Sequence, residues 1–129
     1  MIQVKKITYA PSDIYAMFGT PQNVLPAPDA GYVHNILGIT HEMTFNTLAY
    51  SGASSFHYGV EDLQNIPVFT EDRVLAEENN YAQPSLKPDA NATPFSTTKD
   101  FYVTVDFEAT TGDSDIIAYI IYEKKLLDV

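Results

Sequence analysis

The sequence predicts an all-β domain, a sandwich or barrel with one or two short helices. The strongest observation is the segment 101–108, where large apolar side chains from Phe101 to Phe107 alternate with polar side chains or tyrosine. This period of two is typical of a strand with one buried face. The segment 116–122 is apolar or aromatic on both faces, as in a strand covered on both sides. Residues 110–114 form a turn by composition, so we expect these two strands to pair as a closing hairpin.

Short apolar runs separated by small polar turns in the first half of the chain indicate the same class. In order, the predicted elements are an edge strand at 2–8, two helical turns at 12–18, and strands at 32–40, 42–50 and 55–60. Ser12 is expected to cap the helical turns and Gly19 to end them. The strands on either side of Thr40 and His41 are expected to pair as a hairpin.

The middle of the chain departs from this pattern. Three prolines bracket Val24 and Leu25 between residues 20 and 31, which forces an extended arm along an edge of the sheet. A threonine followed by acidic residues predicts a short helix over 70–78, because the helix dipole favours negative charge in the first turn. The polar segment 79–98 is expected to be a long surface loop.

Length and charge narrow the classes of function. A chain of 129 residues fits a single sandwich domain, 1–129. With 17 acidic against 7 basic residues, the formal net charge is -10, which disfavours nucleic-acid and anionic-membrane partners. The absence of cysteine excludes disulfides and thiolate chemistry, and no run of 18 apolar residues occurs. We therefore expect a protein that is made in a cytoplasm and has no membrane anchor.

No catalytic, cofactor or metal site is predicted. His34, His41 and His57 share no spacing that would place two of them together on one predicted element, so a zinc site is not indicated. A hydrolytic triad that uses His57 with a serine or aspartate would need partners that meet only in space. Because no nucleophile motif accompanies His57, we expect a protein that is not an enzyme and that needs no cofactor.

Acidic residues near the last turn allow two interpretations. Carboxylates could converge at one end of the closing hairpin and bind calcium together with backbone carbonyl groups. The candidates are Asp106, Glu108, Asp113 and Asp115. Alternatively, Asp113 and Ser114 accept local backbone hydrogen bonds in a tight turn. The lack of EF-hand spacing favours the second interpretation.

Three short motifs, in order along the chain, resemble those of a known group. They are IYAMFGTPQNVLPAPDAG from Ile14 to Gly31, LAYSG from Leu48 to Gly52, and GDS from Gly112 to Ser114, followed by a tyrosine-rich strand ending at Tyr122. The pattern resembles small tailed-phage virion structural proteins, the group of capsid decoration and minor head proteins. The resemblance implies a β-rich structural protein of the virion, made in the host cytoplasm, that contacts other virion proteins such as the major capsid protein.

These observations together predict a jelly-roll-like sandwich that forms a homo-oligomer, with a trimer as the expected count. One face of 116–122 would serve the sandwich. The other face, with Ile117, Tyr119 and Ile121, would contact a neighbouring subunit, as would Val24 and Leu25 of the proline-rich arm. The expected function is decoration or cementing of a capsid, or a minor role in the head.

A second class of function is a glycan-binding module on the virion. The same sandwich could present the loops 53–55 and 79–98 to glycans on a host surface, with Tyr81 as an aromatic contact.

Overall fold

In the computed structural model, which describes residues 1–83, 86 and 95–127, the chain forms two antiparallel β-sheets around one core. The elements are β1 (Ile2–Tyr9), α1 (Pro11–Met17), β2 (Gln22–Leu25), β3 (Tyr32–Met43), β4 (Phe56–Gly59), β5 (Phe69–Glu71), a 3-10 turn (Val74–Ala76), β6 (Tyr81–Ala82), β7 (Phe95–Thr97), β8 (Phe101–Val105) and β9 (Ile116–Leu126). Sheet A has the strand order β1-β9-β3-β6, and β7 also pairs with β3. Sheet B has the order β2-β8-β4-β5. Among the described residues, no helix is long and apolar enough to span a membrane.

This strand order is that of a jelly roll. β6 and β7 both add to the same edge of β3, so they occupy one strand position between them. The described strands then fill eight strand positions in chain order, with β6 and β7 together as the sixth. The first, third, sixth and eighth positions form sheet A, and the others form sheet B. A double sheet of eight strands in this order consists of two Greek keys. The predicted all-β, jelly-roll-like sandwich is therefore confirmed.

The core forms between the inward faces of the two sheets. On β8 the side chains of Phe101, Val103 and Val105 are buried, and on β9 those of Ile116 and Ile120 are buried. Each such side chain contributes about 1.5–3 kcal/mol when it leaves water. The period of two predicted the inward face of β8 correctly, but the strand ends at Val105.

Phe107 was expected on that buried face and is instead exposed. The carboxylate of Asp106 turns back to the loop before β4, where it accepts hydrogen bonds from the backbone N–H groups of Ser54 and Ser55 at 2.8 and 3.1 Å. This contact ends the extended conformation of β8, so the alternation no longer faces the core beyond it.

The predicted closing hairpin is wrong. β8 lies in sheet B between β2 and β4, whereas β9 lies in sheet A between β1 and β3. Residues 106–115 therefore cross from one sheet to the other instead of forming a tight turn. Alternation in 101–108 and apolar side chains on both faces of 116–122 indicate two buried strands, but neither pattern distinguishes paired strands from strands in facing sheets.

The predicted hairpin about Thr40 and His41 is also wrong, because β3 runs through both residues without a turn. Neither residue is a turn former, and a β-branched threonine fits a pleated strand. The side chain of His41 is buried and lies in the core. The long strand pairs with β9 over most of its length.

The segment 70–78 forms no α-helix. Glu71 ends β5 with its side chain buried, and its Oε1 accepts hydrogen bonds from the N–H groups of Arg73 and Val74, each at 2.7 Å. The acidic residue therefore caps a single 3-10 turn from inside the core, where a helix would have placed it in solvent. Of the loop predicted at 79–98, the described parts include β6 and β7, and residues 84–85 and 87–94 lie outside the described part.

The two edge elements agree with their predictions. β1 and β2 each lie at the end of a sheet, and prolines flank β2 as expected of an edge strand. The helix α1 has seven residues, as the sequence suggested, but Ser12 does not cap it. The carboxylate of Asp13 instead accepts a hydrogen bond from the backbone N–H of Ala10 at 2.9 Å.

Candidate interaction face

The outer face of sheet A carries a row of apolar side chains, called here the outer stripe. It consists of Ile2, Val4, Ile117, Tyr119 and Ile121. In β9 these positions alternate with the buried Ile116, Ala118 and Ile120, so they point away from the core and are half-buried. Ile2 and Val4 are 60% and 59% exposed. Single exposed apolar residues are ordinary, but a contiguous row on a sheet marks a contact surface.

Strand register joins the β1 and β9 parts of the outer stripe at one cross-strand pair. Val4 of β1 lies directly opposite Ile121 of β9. Opposed residues of an antiparallel pair lie on the same face with their Cβ atoms about 5 Å apart, so these two side chains form one apolar surface. Ile2 and Val4 are not among the residues that the sequence predicts for this surface, because the weak alternation of 2–8 predicts only an edge strand.

Polar groups lie beside the outer stripe. Lys6 is opposite Tyr119, and Glu42 of β3 is opposite Ile117. The Tyr119 hydroxyl donates a hydrogen bond to the Glu42 carboxylate at 2.9 Å, and this bond raises the pKa of the tyrosine. An apolar centre with charged groups beside it is the usual composition of a protein contact surface.

Ile117 stands between two shallow clefts at the start of β9. One has a volume of about 430 Å³ and is lined by Thr44, Phe45, Asn46 and residues 113–115. The other has a volume of about 330 Å³ and is lined mainly by residues 42–44 and 80–82. The surface at this end of the outer stripe is therefore both apolar and indented.

Sheet B differs from sheet A because the chain partly covers its outer face. The outward side chain of Thr104 is buried and donates a hydrogen bond to the carbonyl oxygen of Met17, the last residue of α1, at 2.7 Å. The Gln64 amide donates to the carbonyl oxygen of Val105 at 2.6 Å. These contacts fix α1 and the loop after β4 against sheet B.

The structure separates the five residues predicted to contact a neighbour. Ile117, Tyr119 and Ile121 lie together in the outer stripe, and their contact with another subunit stays a prediction. Val24 and Leu25 are 0% and 3% exposed and belong to the core. A register shift between Asn23 and Leu25 occurs in β2, and both apolar side chains are buried there, so they offer no surface to a partner.

His41 belongs to a buried hydrogen-bond network that joins the two sheets. Its Nε2 lies 2.7 Å from the Tyr58 hydroxyl, which lies 2.8 Å from the Tyr9 hydroxyl, and its Nδ1 lies 3.0 Å from Oε1 of Gln83. With the proton assigned to Nδ1, every donor in the row has an acceptor. Burial lowers the pKa of His41 to about 4, so the ring is neutral at pH 7. Burial also raises the pKa of both tyrosines.

The other two histidines also have local partners. His34 packs edge-on against the Tyr122 ring, with ring centroids 5.0 Å apart. His57 donates from Nδ1 to the carbonyl oxygen of Leu63 at 3.0 Å, which helps to hold the loop after β4. Within 1–83, 86 and 95–127, no three His, Asp or Glu side chains come close enough to hold a metal ion.

Two of the four carboxylates considered for calcium, Asp113 and Asp106, hold loops. Asp113 accepts hydrogen bonds from the backbone N–H groups of Thr47 and Leu48 at 3.1 and 2.9 Å, and also from the Thr47 hydroxyl. These hydrogen bonds lower the pKa of Asp113. Burial of Asp106 opposes its ionisation, but hydrogen bonds from Ser54 and Ser55 outweigh that effect and lower its pKa. Asp113 therefore accepts backbone hydrogen bonds, as the second interpretation expects, but it accepts them from a loop distant in sequence and not within a tight turn.

Tyr81, the aromatic residue considered for glycan binding, lies in β6. Its ring is partly buried against the core, with the Arg73 guanidinium carbon 5.9 Å from the ring centroid. Ala53 of the first candidate loop is buried. The part of the second loop that includes residues 87–94 lies outside the described residues.

Fold and surface together define an all-β jelly-roll domain with an apolar stripe on the outer face of sheet A. No protein-family model and no curated protein matches the chain. Among solved structures, the chain is similar to a chain from the acidic stable capsid structure of Helicobacter pylori bacteriophage KHP30, with a TM-score of 0.55 and 14% sequence identity. The alignment covers 99% of this chain and 94% of that chain. At this identity the similarity shows a shared fold, and it extends over the whole sandwich.

Proposed function

We propose that the protein is a phage virion structural protein that decorates or cements a capsid, or serves as a minor head component, through protein–protein contacts. The main support is the similarity of nearly the whole chain to a chain of a phage capsid structure. The sequence motifs that resemble small phage virion proteins support the same role independently. The role is mechanical, so the proposal includes no catalysis and no cofactor.

The outer stripe is the surface proposed for these contacts. It presents Ile117 and Ile121 on the central strand β9, and the exposed Val4 of the neighbouring β1 lies opposite Ile121. We expect a homo-oligomer, with a trimer as its count, in which the outer stripe is buried between subunits. The assembled protein would then contact the major capsid protein or another protein of the particle.

The net charge fits this role. At -10 the chain repels nucleic acid and anionic lipid, so its partners on a particle are expected to be proteins. A charged surface around an apolar contact face also keeps an unassembled subunit soluble until it finds its partner.

Quantitative mass spectrometry of purified particles of the phage that encodes the chain tests the proposal. The protein should be present at a constant copy number relative to the major capsid protein, and it should stay bound through gradient purification. Its absence from particles that carry their other head proteins would contradict the virion role.

A glycan array separates the proposed role from the glycan-binding alternative. A contact protein should leave the array silent. Binding that is lost in Tyr81→Ala and kept in Tyr32→Ala would instead favour the glycan-binding module, since both variants remove a partly exposed tyrosine.

A further inference from the structure

A cleft of about 520 Å³ opens on the outside of sheet B, where α1, β8 and the loop after β4 meet. We call it the sheet B cleft. Its floor is Tyr102 and Thr104, and its apolar walls are Phe18, Pro21, Val60 and Leu63. Glu61, Asp62 and Gln64 supply its polar groups. Clefts of 300–1,000 Å³ with apolar walls and a few polar groups are typical binding sites.

Hydrogen bonds hold the walls of the sheet B cleft in place. The Gln64 amide donates to the carbonyl oxygen of Val105 at 2.6 Å, and His57 donates to that of Leu63 at 3.0 Å. On the other side, Thr104 donates to the last carbonyl of α1 at 2.7 Å. The loop itself closes on Asp62, whose carbonyl oxygen accepts the N–H of Ile66 at 2.8 Å. The cleft is therefore formed before any ligand arrives, which lowers the entropic cost of binding.

The polar chemistry of the sheet B cleft is one-sided. Its side-chain donors already have acceptors in the chain: Thr104 and Gln64 bind carbonyl oxygens, and the Tyr102 hydroxyl lies 3.3 Å from an Asp100 carboxylate oxygen. The acidic groups of the lining are exposed: the carboxylate of Glu61, and that of Asp62, one oxygen of which accepts a hydrogen bond from the Asn65 amide at 3.1 Å. A ligand at this cleft must therefore supply donors, and a positive charge suits it best.

Among the described residues, the partner of Glu61 is a weak one. Its carboxylate lies 3.9 Å from Nζ of Lys99, and both side chains are exposed. Exposed pairs of this kind contribute about 0–1 kcal/mol, so a second cation can displace Lys99 with little loss.

We infer that the sheet B cleft binds a lysine or arginine side chain in an extended basic segment of another protein. The alkyl part of that side chain would pack on Phe18 and Leu63, while its charged end reaches Glu61 and Asp62. Long basic side chains combine an apolar stem with a cationic end, and aromatic faces such as that of Tyr102 attract the cation. This inference goes beyond the proposed virion role and does not depend on it.

A peptide fits the sheet B cleft better than a sugar does. Sugar hydroxyl groups need acceptors and donors together, and the donors of the lining are engaged within the chain. The net charge of -10 also attracts a basic peptide from a distance, whereas a neutral sugar gains nothing from it.

An NMR titration of the ¹⁵N-labelled full chain tests the inference. The probe is an acetylated, amidated hexapeptide of alternating lysine and valine, and the control peptide replaces lysine by glutamate. The lysine peptide should cause saturable shifts at Phe18, Leu63 and Tyr102, and raising the salt concentration should weaken binding. No saturable shift, an equal response to the glutamate peptide, or shifts confined to the outer stripe would overturn the inference.

Matched charge variants locate the binding. Glu61→Gln should weaken it about fivefold, as expected for loss of about 1 kcal/mol from an exposed pair. Lys99→Gln should strengthen it because the competing cation is gone, and Glu78→Gln, an exposed acid outside the lining, should leave it nearly unchanged. Equal weakening by Glu61→Gln and Glu78→Gln would reduce the effect to net charge and overturn the assignment. Glycan-array binding abolished by Phe18→Ser would assign the cleft to a sugar instead.

Discussion

Two buried titratable side chains near the same aromatic rings respond to pH in opposite directions. His41 is stacked on Phe56 with ring centroids 5.6 Å apart, and Glu71 lies opposite Phe56 in the pairing of β4 and β5. Burial lowers the pKa of His41 and raises that of Glu71. Among the described residues, Oε2 of Glu71 has no hydrogen-bond partner, so its ionised form is poorly satisfied. The Tyr9 and Tyr58 hydroxyls stay neutral at every pH of interest.

The opposite pKa shifts of His41 and Glu71 predict that Glu71→Gln makes the stability of the fold more dependent on pH. The folded pKa of His41, about 4, is below its unfolded value of 6.5, so His41 stabilises the fold above pH 6.5 and loses that contribution as the pH falls. Glu71 has a raised folded pKa, so its contribution is present at low pH and is lost as the pH rises. With the Glu71 carboxylate removed, we expect unfolding to become about 2 kcal/mol easier between pH 7 and pH 5.

Urea denaturation at the two pH values measures this difference. The wild type should lose less stability than Glu71→Gln, because protonation of Glu71 offsets that of His41. The amide introduced by Glu71→Gln keeps an oxygen that can accept the two backbone N–H groups, so the variant is expected to fold. Identical losses in both proteins would contradict the opposition.

Gly112 is required by a neighbouring side chain as well as by its backbone. It has φ of +129°, and an added Cβ would overlap the Tyr50 ring. Gly31 has φ of +88° but open space around it, so it is a matched control. We expect Gly31→Ala to cost about 1–2 kcal/mol from strain alone. Gly112→Ala should cost about 2–5 kcal/mol, since overpacking adds to strain. Thermal unfolding would refute this if the two variants were equally stable.

At the scale of elements, β9 carries two different roles on its two faces. Ile116 is fully buried, while its neighbour Ile117 belongs to the outer stripe. Under the proposed oligomer, Ile117→Lys should dissociate the assembly and leave the fold intact, because a charge would be buried between subunits but solvated in the monomer. Ile116→Ala should instead destabilise the fold by about 2–5 kcal/mol through the cavity it leaves.

Analytical sedimentation measures the state of assembly, and circular dichroism during unfolding measures the stability of the fold. The expected result is a folded monomer for Ile117→Lys and a less stable but still assembled Ile116→Ala. A wild-type protein that sediments as a monomer would contradict the oligomer. An Ile117→Lys variant that fails to fold would show that Ile117 is needed for the fold of the subunit and would contradict its role in an interface.

The sequence predicted strands better than it predicted their partners. Alternation identified β8, and apolar side chains on both faces identified β9, because burial of a face restricts the residue types at neighbouring positions. Neither pattern revealed that the two strands lie in facing sheets, since pairing depends on residues far away in sequence. The helix at 70–78 failed for a similar reason: whether Glu71 faces solvent or the core is decided by β4 and not by local charge.

The candidate surfaces were predictable in part. Ile117, Tyr119 and Ile121 were found from the second apolar face of one strand, whereas Ile2 and Val4 join them only through the pairing of β1 with β9. The sheet B cleft could not be found from sequence, because it depends on side-chain hydrogen bonds that bring α1 and the loop after β4 together.

At the scale of the whole molecule, β9 is the strand on which sheet A depends. It is hydrogen-bonded to β1 on one side and to β3 on the other, nearly over its full length. We expect its amides to exchange slowest, with protection close to the global free energy of unfolding. Amides of the two-residue β6 and of the edge strand β2 should exchange sooner. Hydrogen exchange monitored by NMR tests this order, and faster exchange in β9 than in β2 would contradict it.

The position of β9 also has a consequence during synthesis. It follows every other strand of the sandwich along the chain, yet it lies between β1 and β3. On the ribosome, those two strands emerge well before the strand that joins them, so their apolar side chains have no sheet to enter. Sheet A can close only after β9 is released from the exit tunnel, and until then we expect the nascent chain to expose apolar surface that favours aggregation.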